Sequence, residues 1–135
     1  MKLNIRPIKE NDYDDTLVGW WKDWGWDAPP KDFLPKNGLI ALCDDTPVCA
    51  GFLYLSDSNV AWVEWVISNK DFRQEPERSY AIKMLVNTLT LIAEEKGYKY
   101  CYALLKHDGL IDTYKDIGYV EGDSYNKEMI KKLWQ

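Results

Sequence analysis

Glu64 is the one charged residue inside VAWVEWVIS (60–68), the stretch with the strongest β-strand preference. A carboxylate among apolar strand residues loses hydration, which raises its pKa and suits it to take a proton from an amine, directly or through water. The alternative is a carboxylate that faces a solvated groove or pairs with a lysine. His107, the only histidine, either assists proton transfer or is an ordinary solvated loop residue.

Basic side chains gather in the polar segment that follows this strand. Arg73, Arg78 and Lys83 could bind a phosphate group near the start of a helix, where backbone N–H groups point outward. Equally, they could pair with Glu75 and Glu77. Exposed ion pairs of that kind contribute only about 0–1 kcal/mol. The segment is therefore either an anion site or a solvated charged surface.

The elements that position these residues follow from apolar periodicity and from turn residues. The sequence predicts five strands, over 2–8, 38–43, 48–55, 60–68 and 98–105, and two further terminal strands that flank the turn EGDS (121–124). It predicts helices over 12–24, 79–96 and 109–117, with a short apolar segment over 33–35. Gly97 and Gly118 stand where two of these helices should end.

This order predicts a single α+β domain over residues 1–135. We expect a mixed, mostly antiparallel sheet of six or seven strands with about four helices packed on both faces. The strand 60–68 should lie inside the sheet because both its faces are apolar. The helix 79–96 is long enough for a right-handed crossover to a parallel strand over 98–105.

The composition of the chain disfavours several kinds of partner and site. The net charge of −5 disfavours nucleic acid as a partner. Three scattered cysteines (Cys43, Cys49 and Cys101) predict buried thiols in a reducing compartment and no metal site. No apolar run approaches the roughly 18 residues of a membrane span, and no signal peptide is visible. We therefore expect a cytoplasmic protein without a membrane partner.

Two segments carry a resemblance to a known family. The opening IRPIKENDYDD is similar to the first strand of that family and to the acidic residues with which its first helix begins. In DTYKDIGY, the residues Tyr114, Lys115, Gly118 and Tyr119 match an ending of the form Y-[EK]-K-x-G-[FY]. On these segments the chain resembles the GNAT superfamily of N-acetyltransferases over nearly its whole length. The segment VISNKDFRQ also resembles divergent GNAT-like proteins that bacteriophages encode.

The resemblance implies acetyl-CoA as the acyl donor. Glu64 would act as general base, and Tyr114 would protonate the departing thiolate as general acid, unless its ring only packs the short helix onto the sheet. The backbone of Val66, Ile67 and Ser68 would hydrogen-bond the pantetheine arm. The other cofactor contacts that the resemblance implies are Arg73, Arg78, Ser79, Ala81, Ile82, Lys83 and His107.

The segment that should cradle the pyrophosphate departs from the family pattern R-x-x-G-x-[GA], because RQEPERSYAIKML contains no glycine. Glycines let the backbone approach phosphate oxygens closely. Here Arg73 or Arg78 would be the arginine of the loop, while Glu75, Pro76 and Glu77 add negative charge and remove one N–H donor. This departure predicts weakened acetyl-CoA binding, or none.

Two functions follow from the resemblance. The first is direct acetyl transfer to a small-molecule or protein amine in a ternary complex. Trp21, Trp24 and Trp26 would then be substrate-binding walls for an apolar or cationic acceptor, or else the core of an amphipathic helix. The second is a catalytically inactive GNAT-like binding or structural protein, such as a phage virion component. A homodimer is compatible with both.

Overall fold

The computed structural model describes residues 1–133, which form a five-stranded sheet with helices on both faces. The elements are β1 (Leu3–Pro7), α1 (Val18–Asp23), β2 (Gly38–Cys43), β3 (Thr46–Leu55), β4 (Val60–Ser68), α2 (Glu77–Glu95), β5 (Tyr100–Tyr102) and α3 (Asp108–Asp116). In the sheet order β1-β2-β3-β4-β5, neighbouring strands from β1 to β4 are antiparallel, whereas β5 runs parallel to β4.

Strands β2, β3 and β4 form a meander because short polar turns separate apolar strands. The turn between β2 and β3 places Asp44 and Asp45 at φ values of 46° and 70°. Aspartate tolerates this region better than most residues, and such a turn matches the twist of a hairpin. The prediction that β4 lies inside the sheet is confirmed, since β3 and β5 flank it.

Two apolar clusters lie on opposite faces of the sheet. On the face that we call the α2 face, Leu85, Leu89 and Tyr114 from α2 and α3 pack against the strands. On the other, which we call the α1 face, Leu17 and Trp20 cover part of the sheet. Helices therefore pack on both faces, as the sequence predicts.

The two terminal strands predicted around EGDS (121–124) are wrong, and the sheet has five strands rather than six or seven. Residues 119–133 follow α3 without helix or strand. Val120 and Met129 expose 90% and 88% of their surface. Because this segment buries little apolar surface, little free energy offsets the entropy cost of ordering it as strands.

The expected number of about four helices is also wrong, since residues 1–133 contain three α-helices. The predicted first helix begins as a π-helical turn, Tyr13–Leu17, before it continues as α1. Asp12 does not cap it, because its carboxylate accepts hydrogen bonds from the backbone of Lys9 at 2.6 Å and from Arg6 at 2.8 Å. Gly25, at φ 79°, follows the helix end.

Helix α2 is the longest element, with 19 residues, and it connects β4 to the parallel strand β5. Its observed ends lie within two residues of the predicted range 79–96. Strand β5 is shorter than the predicted 98–105, because β4 bends away from it beyond Trp62. Within residues 1–133, none of the helices combines the length and apolar character that crossing a membrane requires.

Candidate active site

Strands β4 and β5 separate partway along β4. They pair only from Val60 to Trp62 on the β4 side. Farther along, β4 has one residue more than β3 between Glu64 and Ile67, and Trp65 adopts φ 57°. Such a bulge bends and twists the strand that carries it. Beyond Trp62 the two strands are no longer paired, and we call the space between the second half of β4 and the segment that follows β5 the cleft.

Glu64 lies at this bulge, and its carboxylate reaches the other side of the cleft. Its Oε1 atom accepts a hydrogen bond from the backbone N–H of Leu104 at 2.6 Å. Burial raises the pKa of Glu64 to about 7, and the Leu104 N–H counteracts part of that effect. Near neutral pH the side chain therefore populates both protonation states, as general acid–base chemistry requires.

Tyr114 reaches β4 from the α2 face. Its ring is 2% exposed and packs edge-on against Tyr119, with 4.8 Å between ring centroids. Its hydroxyl donates a hydrogen bond to the backbone carbonyl of Val63 at 3.1 Å. Burial, with a smaller contribution from Tyr119, raises the pKa of Tyr114 above its ordinary value. The hydroxyl thus has a structural partner next to Glu64, and its role as general acid stays a prediction.

The carboxyl end of β4 is held by side chains from the end of α1 and the start of α2. Ser68 Oγ accepts a hydrogen bond from Arg78 at 2.7 Å, and the Ser68 carbonyl accepts one from Trp24 Nε1 at 2.9 Å. The Arg78 guanidinium and the Lys70 ammonium lie 5.7 Å and 5.2 Å from the Trp24 ring centroid. Arg78 Nε is buried and has no hydrogen-bond partner within residues 1–133. A buried donor of this kind suits an acceptor oxygen of a ligand.

A carboxylate of the protein itself, that of Glu75, lies at the start of α2. Glu75 Oε2 accepts hydrogen bonds from the Ser79 hydroxyl at 2.6 Å and from the Ser79 backbone N–H at 3.3 Å. Helix N-termini attract anions because their first N–H groups are unpaired and the helix dipole is positive there. The negative charge of Glu75 therefore sits where the sequence resemblance implies a pyrophosphate.

The remaining residues that the resemblance assigns to the cofactor lie elsewhere. Arg73 is exposed, and its Nε donates to the Lys70 carbonyl at 3.3 Å. Ala81 is fully buried, and Ile82 packs against the same α2-face cluster. Lys83 forms an ion pair with Asp116 of α3 at 3.3 Å. None of these contacts directs the side chain that makes it toward the cleft.

Of the three tryptophans predicted to bind substrate, two form a stack with His107, and the third is core. The rings of Trp24 and Trp26 lie 5.6 Å apart, and those of Trp26 and His107 lie 4.8 Å apart. We call these three residues the aromatic bridge, because they link the segment after α1 to the start of α3. Trp21 is only 3% exposed and belongs to the α1-face cluster.

The sequence analysis does not single out two aromatic residues that lie near Glu64. Trp62 and Tyr102 stack face to face across β4 and β5, with 4.3 Å between their centroids. Strand alternation was the available signal, because Trp62 and Glu64 are two residues apart and share one face. The partner Tyr102 could not be chosen without knowing the register of β5 against β4.

Comparison with known proteins by sequence and comparison by structure give different results. Neither a scan against protein-family models nor a search of curated proteins found a match. Solved structures, in contrast, match over almost the whole chain. One is an aminoglycoside acetyltransferase from an uncultured soil metagenomic sample, in complex with trehalose. It is 14% identical with a TM-score of 0.68, covering 96% of this chain and 97% of that chain.

Two further structures give the same result. AAC(6')-Iy in complex with the bisubstrate analog CoA-S-monomethyl-acetylneamine is 16% identical with a TM-score of 0.68, covering 98% of this chain and 100% of that one. The ribosomal-protein-S18-alanine N-acetyltransferase from Escherichia coli is 11% identical with a TM-score of 0.69, covering 90% and 80%. Identities this low establish the fold alone. The chain has the fold of the GNAT superfamily of N-acetyltransferases.

Proposed function

We propose that the protein is an N-acetyltransferase that moves an acetyl group from acetyl-CoA to an amine in a ternary complex. The observation that carries the proposal is Glu64, a partly buried carboxylate at the bulge of β4 that faces the cleft. The neighbours that share the fold support this donor, because one of them was solved with a CoA bisubstrate analog. Others are named as acetyltransferases of aminoglycosides and of a ribosomal protein.

Two features of the cleft fit acetyl-CoA, which supplies an activated acetyl thioester when it is bound. Beyond Trp62, no residue within 1–133 pairs with the edge of β4 that faces β5, so the backbone of Val66, Ile67 and Ser68 can receive the pantetheine amides there. The buried Nε of Arg78 is an unsatisfied donor beside Ser68. It suits an amide or phosphate oxygen.

Two internal contacts compete with the donor for this site. The indole of Trp24 already uses the Ser68 carbonyl, and the carboxylate of Glu75 already binds Ser79 in the first turn of α2. The Trp24 indole and the Glu75 carboxylate would both have to move before acetyl-CoA could make all of its contacts at this site. Weakened acetyl-CoA binding, which the glycine-free segment predicts, therefore has a structural cause in our proposal.

The catalytic residues that we propose are Glu64 and Tyr114. Glu64, or a water that it orients, accepts the proton that the amine nitrogen loses as it bonds to the acetyl carbon. Tyr114 donates the proton that the thiolate leaving group needs when the C–S bond breaks. For this step its hydroxyl must release the Val63 carbonyl. One proton is taken up and one is given, so the protein returns to its starting charge.

The experiment that tests the proposal is an acetylation assay with acetyl-CoA and a panel of primary amines. The wild-type kcat/KM should rise with pH through about 7, because only the ionised Glu64 carboxylate accepts a proton. Glu64→Gln should lower kcat/KM by about 100-fold or more and remove the inflection near pH 7, so that only the rise caused by deprotonation of the amine itself remains. Glu95→Gln, an exposed position on α2, is the matched control and should leave both unchanged.

Two results would contradict the proposal. A Glu64→Gln variant with wild-type turnover and an intact pH profile would remove Glu64 from the chemistry. Calorimetry that detects no heat when acetyl-CoA is added at millimolar concentration would exclude the donor. The second result would favour the inactive binding or structural protein.

A further inference from the structure

The aromatic bridge crosses the cleft at the carboxyl end of β4. On one side, Trp24 Nε1 donates a hydrogen bond to the carbonyl of Ser68, the last residue of β4, at 2.9 Å. On the other side, His107 lies beyond β5 and directly precedes α3. The Trp26 ring stacks on both, with 5.6 Å to the Trp24 ring and 4.8 Å to the His107 ring. The three rings therefore join the two sides of the cleft where the strands themselves no longer pair.

Trp24 uses polar groups that the proposed function assigns to the donor. Its indole N–H binds the Ser68 carbonyl, while the Arg78 guanidinium and the Lys70 ammonium lie 5.7 Å and 5.2 Å from its ring centroid. Cations are attracted to the electron-rich face of an indole. Trp24 therefore takes one hydrogen-bond acceptor and two positive charges that the amides and phosphates of a bound donor would otherwise use.

The other two rings of the bridge fix Trp24 in this position. The backbone N–H of Trp26 donates to the Trp21 carbonyl at 2.9 Å, which anchors Trp26 to α1. The His107 imidazole does not cap α3 through a hydrogen bond, and its ring stacks on Trp26 instead. Trp26 is 39% exposed, and His107 is exposed as well. An exposed stack of this kind can open without unfolding the sheet.

The segment 103–107, which carries His107, is attached to β4 at a second point. It connects β5 to α3 without helix or strand. The Leu104 N–H donates to the Glu64 carboxylate at 2.6 Å. The bridge and this hydrogen bond together hold the segment against the second half of β4. Opening the bridge releases one of these two attachments and leaves the other in place.

Resting on the proposed function, we propose that the aromatic bridge is an autoinhibitory latch, which keeps the donor end of the cleft closed until acetyl-CoA displaces Trp24. Because only the open form accepts the donor, the apparent Kd equals the intrinsic Kd divided by the open fraction. One aromatic pair changes such an equilibrium by about two- to tenfold. A variant that loses a pair of the bridge therefore binds acetyl-CoA more tightly. Loss of a residue that contacts the donor directly would have the opposite effect.

The test is calorimetric titration of acetyl-CoA into the full chain and its variants. Trp26→Leu and His107→Ala should each lower the Kd by about two- to tenfold. Trp26→Phe keeps a ring that can stack and should stay close to the wild-type Kd. Tyr100→Leu removes an exposed ring of β5 that lies outside the bridge, so this control should leave the Kd unchanged. Unchanged or weaker binding by both Trp26→Leu and His107→Ala would overturn the latch.

A second measurement follows the bridge itself. His107 is the only histidine, so the NMR signals of its imidazole are identified without ambiguity. Without acetyl-CoA, the Trp26 ring should shift these signals upfield in the wild type, and Trp26→Leu should remove the shift. Saturating acetyl-CoA should remove it in the wild type as well, because the latch opens. A wild type without this shift would show that the bridge does not form in solution and would overturn the inference.

The two measurements together separate the latch from the proposed function. If acetyl-CoA binds and is used for acetylation while the His107 shift persists at saturation, the latch alone is wrong. If wild type, Trp26→Leu and His107→Ala all bind no acetyl-CoA at millimolar concentration, the proposed donor is wrong, and the latch that rests on it is overturned too. Binding by the two variants but not by the wild type would be the strongest support for the latch.

Discussion

Glu75 and Glu77 stand two residues apart at the start of α2 with the same formal charge, yet they make different contacts. Glu75 binds the Ser79 hydroxyl and N–H, whereas Glu77 begins the helix as its first residue. A carboxylate that occupies a helix N-terminus excludes other anions from it. We expect the phosphates of acetyl-CoA to compete with Glu75 far more than with Glu77.

The first prediction concerns this competition. Glu75→Ala should tighten acetyl-CoA binding by about two- to fivefold, which corresponds to the roughly 0.3–1 kcal/mol of an exposed charge at a helix terminus. Isothermal titration calorimetry measures the change, and Glu77→Ala is the control of equal charge. The same Kd for both variants would mean that the net charge of the segment matters and the cap does not.

The second prediction concerns Tyr114, where the structural and catalytic roles can be separated. Tyr114→Phe removes the buried hydrogen bond to Val63 and should lower the free energy of unfolding by about 1 kcal/mol. If the hydroxyl is the general acid, kcat should also fall by about 100-fold or more. Denaturant unfolding and steady-state kinetics report the two effects.

The control for Tyr114→Phe is Tyr119→Phe. The Tyr119 hydroxyl also makes a hydrogen bond, with the Thr90 hydroxyl at 2.7 Å, so Tyr119→Phe should lower stability without a comparable loss of kcat. If Tyr114→Phe loses only stability, Tyr114 is a packing residue.

Single residues could be predicted where their own sequence neighbourhood was decisive. The raised pKa of Glu64 could be predicted because Glu64 is the one charge in a β-prone run, and the acidic character of the segment around Glu75 was visible in the same way. The role of Glu64 as general base stays a prediction. The Leu104 N–H that holds Glu64 and the Trp24 indole that holds Ser68 are 40 and 44 residues away along the chain. No local pattern encodes such contacts, because they depend on how β4 bends.

At the scale of elements, β3 and β5 differ sharply in how many strand partners hold them. Strand β3 is paired on both sides by long antiparallel strands, whereas β5 has three paired residues and one open edge. Tyr100 and Tyr102 expose 64% and 39% of their surface. Elements with few buried contacts open at lower free energy than the core.

We therefore expect β5 to exchange its amide hydrogens faster than β3. Hydrogen-exchange mass spectrometry should show peptides over 98–105 exchanging at least about tenfold faster than peptides over 48–55. Equal protection in the unliganded protein would show that β5 opens only with the whole sheet.

The elements also show what periodicity can predict. Helix α2 was located to within two residues because its apolar stripe extends over many turns. The strand over 98–105 was overextended, and the two terminal strands were wrong, because alternation alone does not show whether a partner strand lies within reach. Strand pairing is a property of the register and not of the segment.

At the scale of the whole molecule, the sheet separates two apolar clusters, and the cleft opens at one end between them. The layered α+β arrangement was predictable because the order of strands and helices allows few packings. The position of the cleft was not, since it arises from one extra residue in β4 near Trp65.

The aromatic bridge has an optical consequence. Two indoles held 5.6 Å apart with 15° between their planes, as in Trp24 and Trp26, couple their electronic transitions and should give a split band in the circular dichroism spectrum. Trp21 and Trp65, with centroids 6.5 Å apart, couple as well, so Trp26→Leu identifies the part of the band that belongs to Trp24 and Trp26. Donor binding that draws Trp24 away from Ser68 should remove that part and leave the rest. If that part persists at saturating acetyl-CoA, Trp24 stays in place. The protein thus carries a spectroscopic reporter of cleft opening that needs no attached dye.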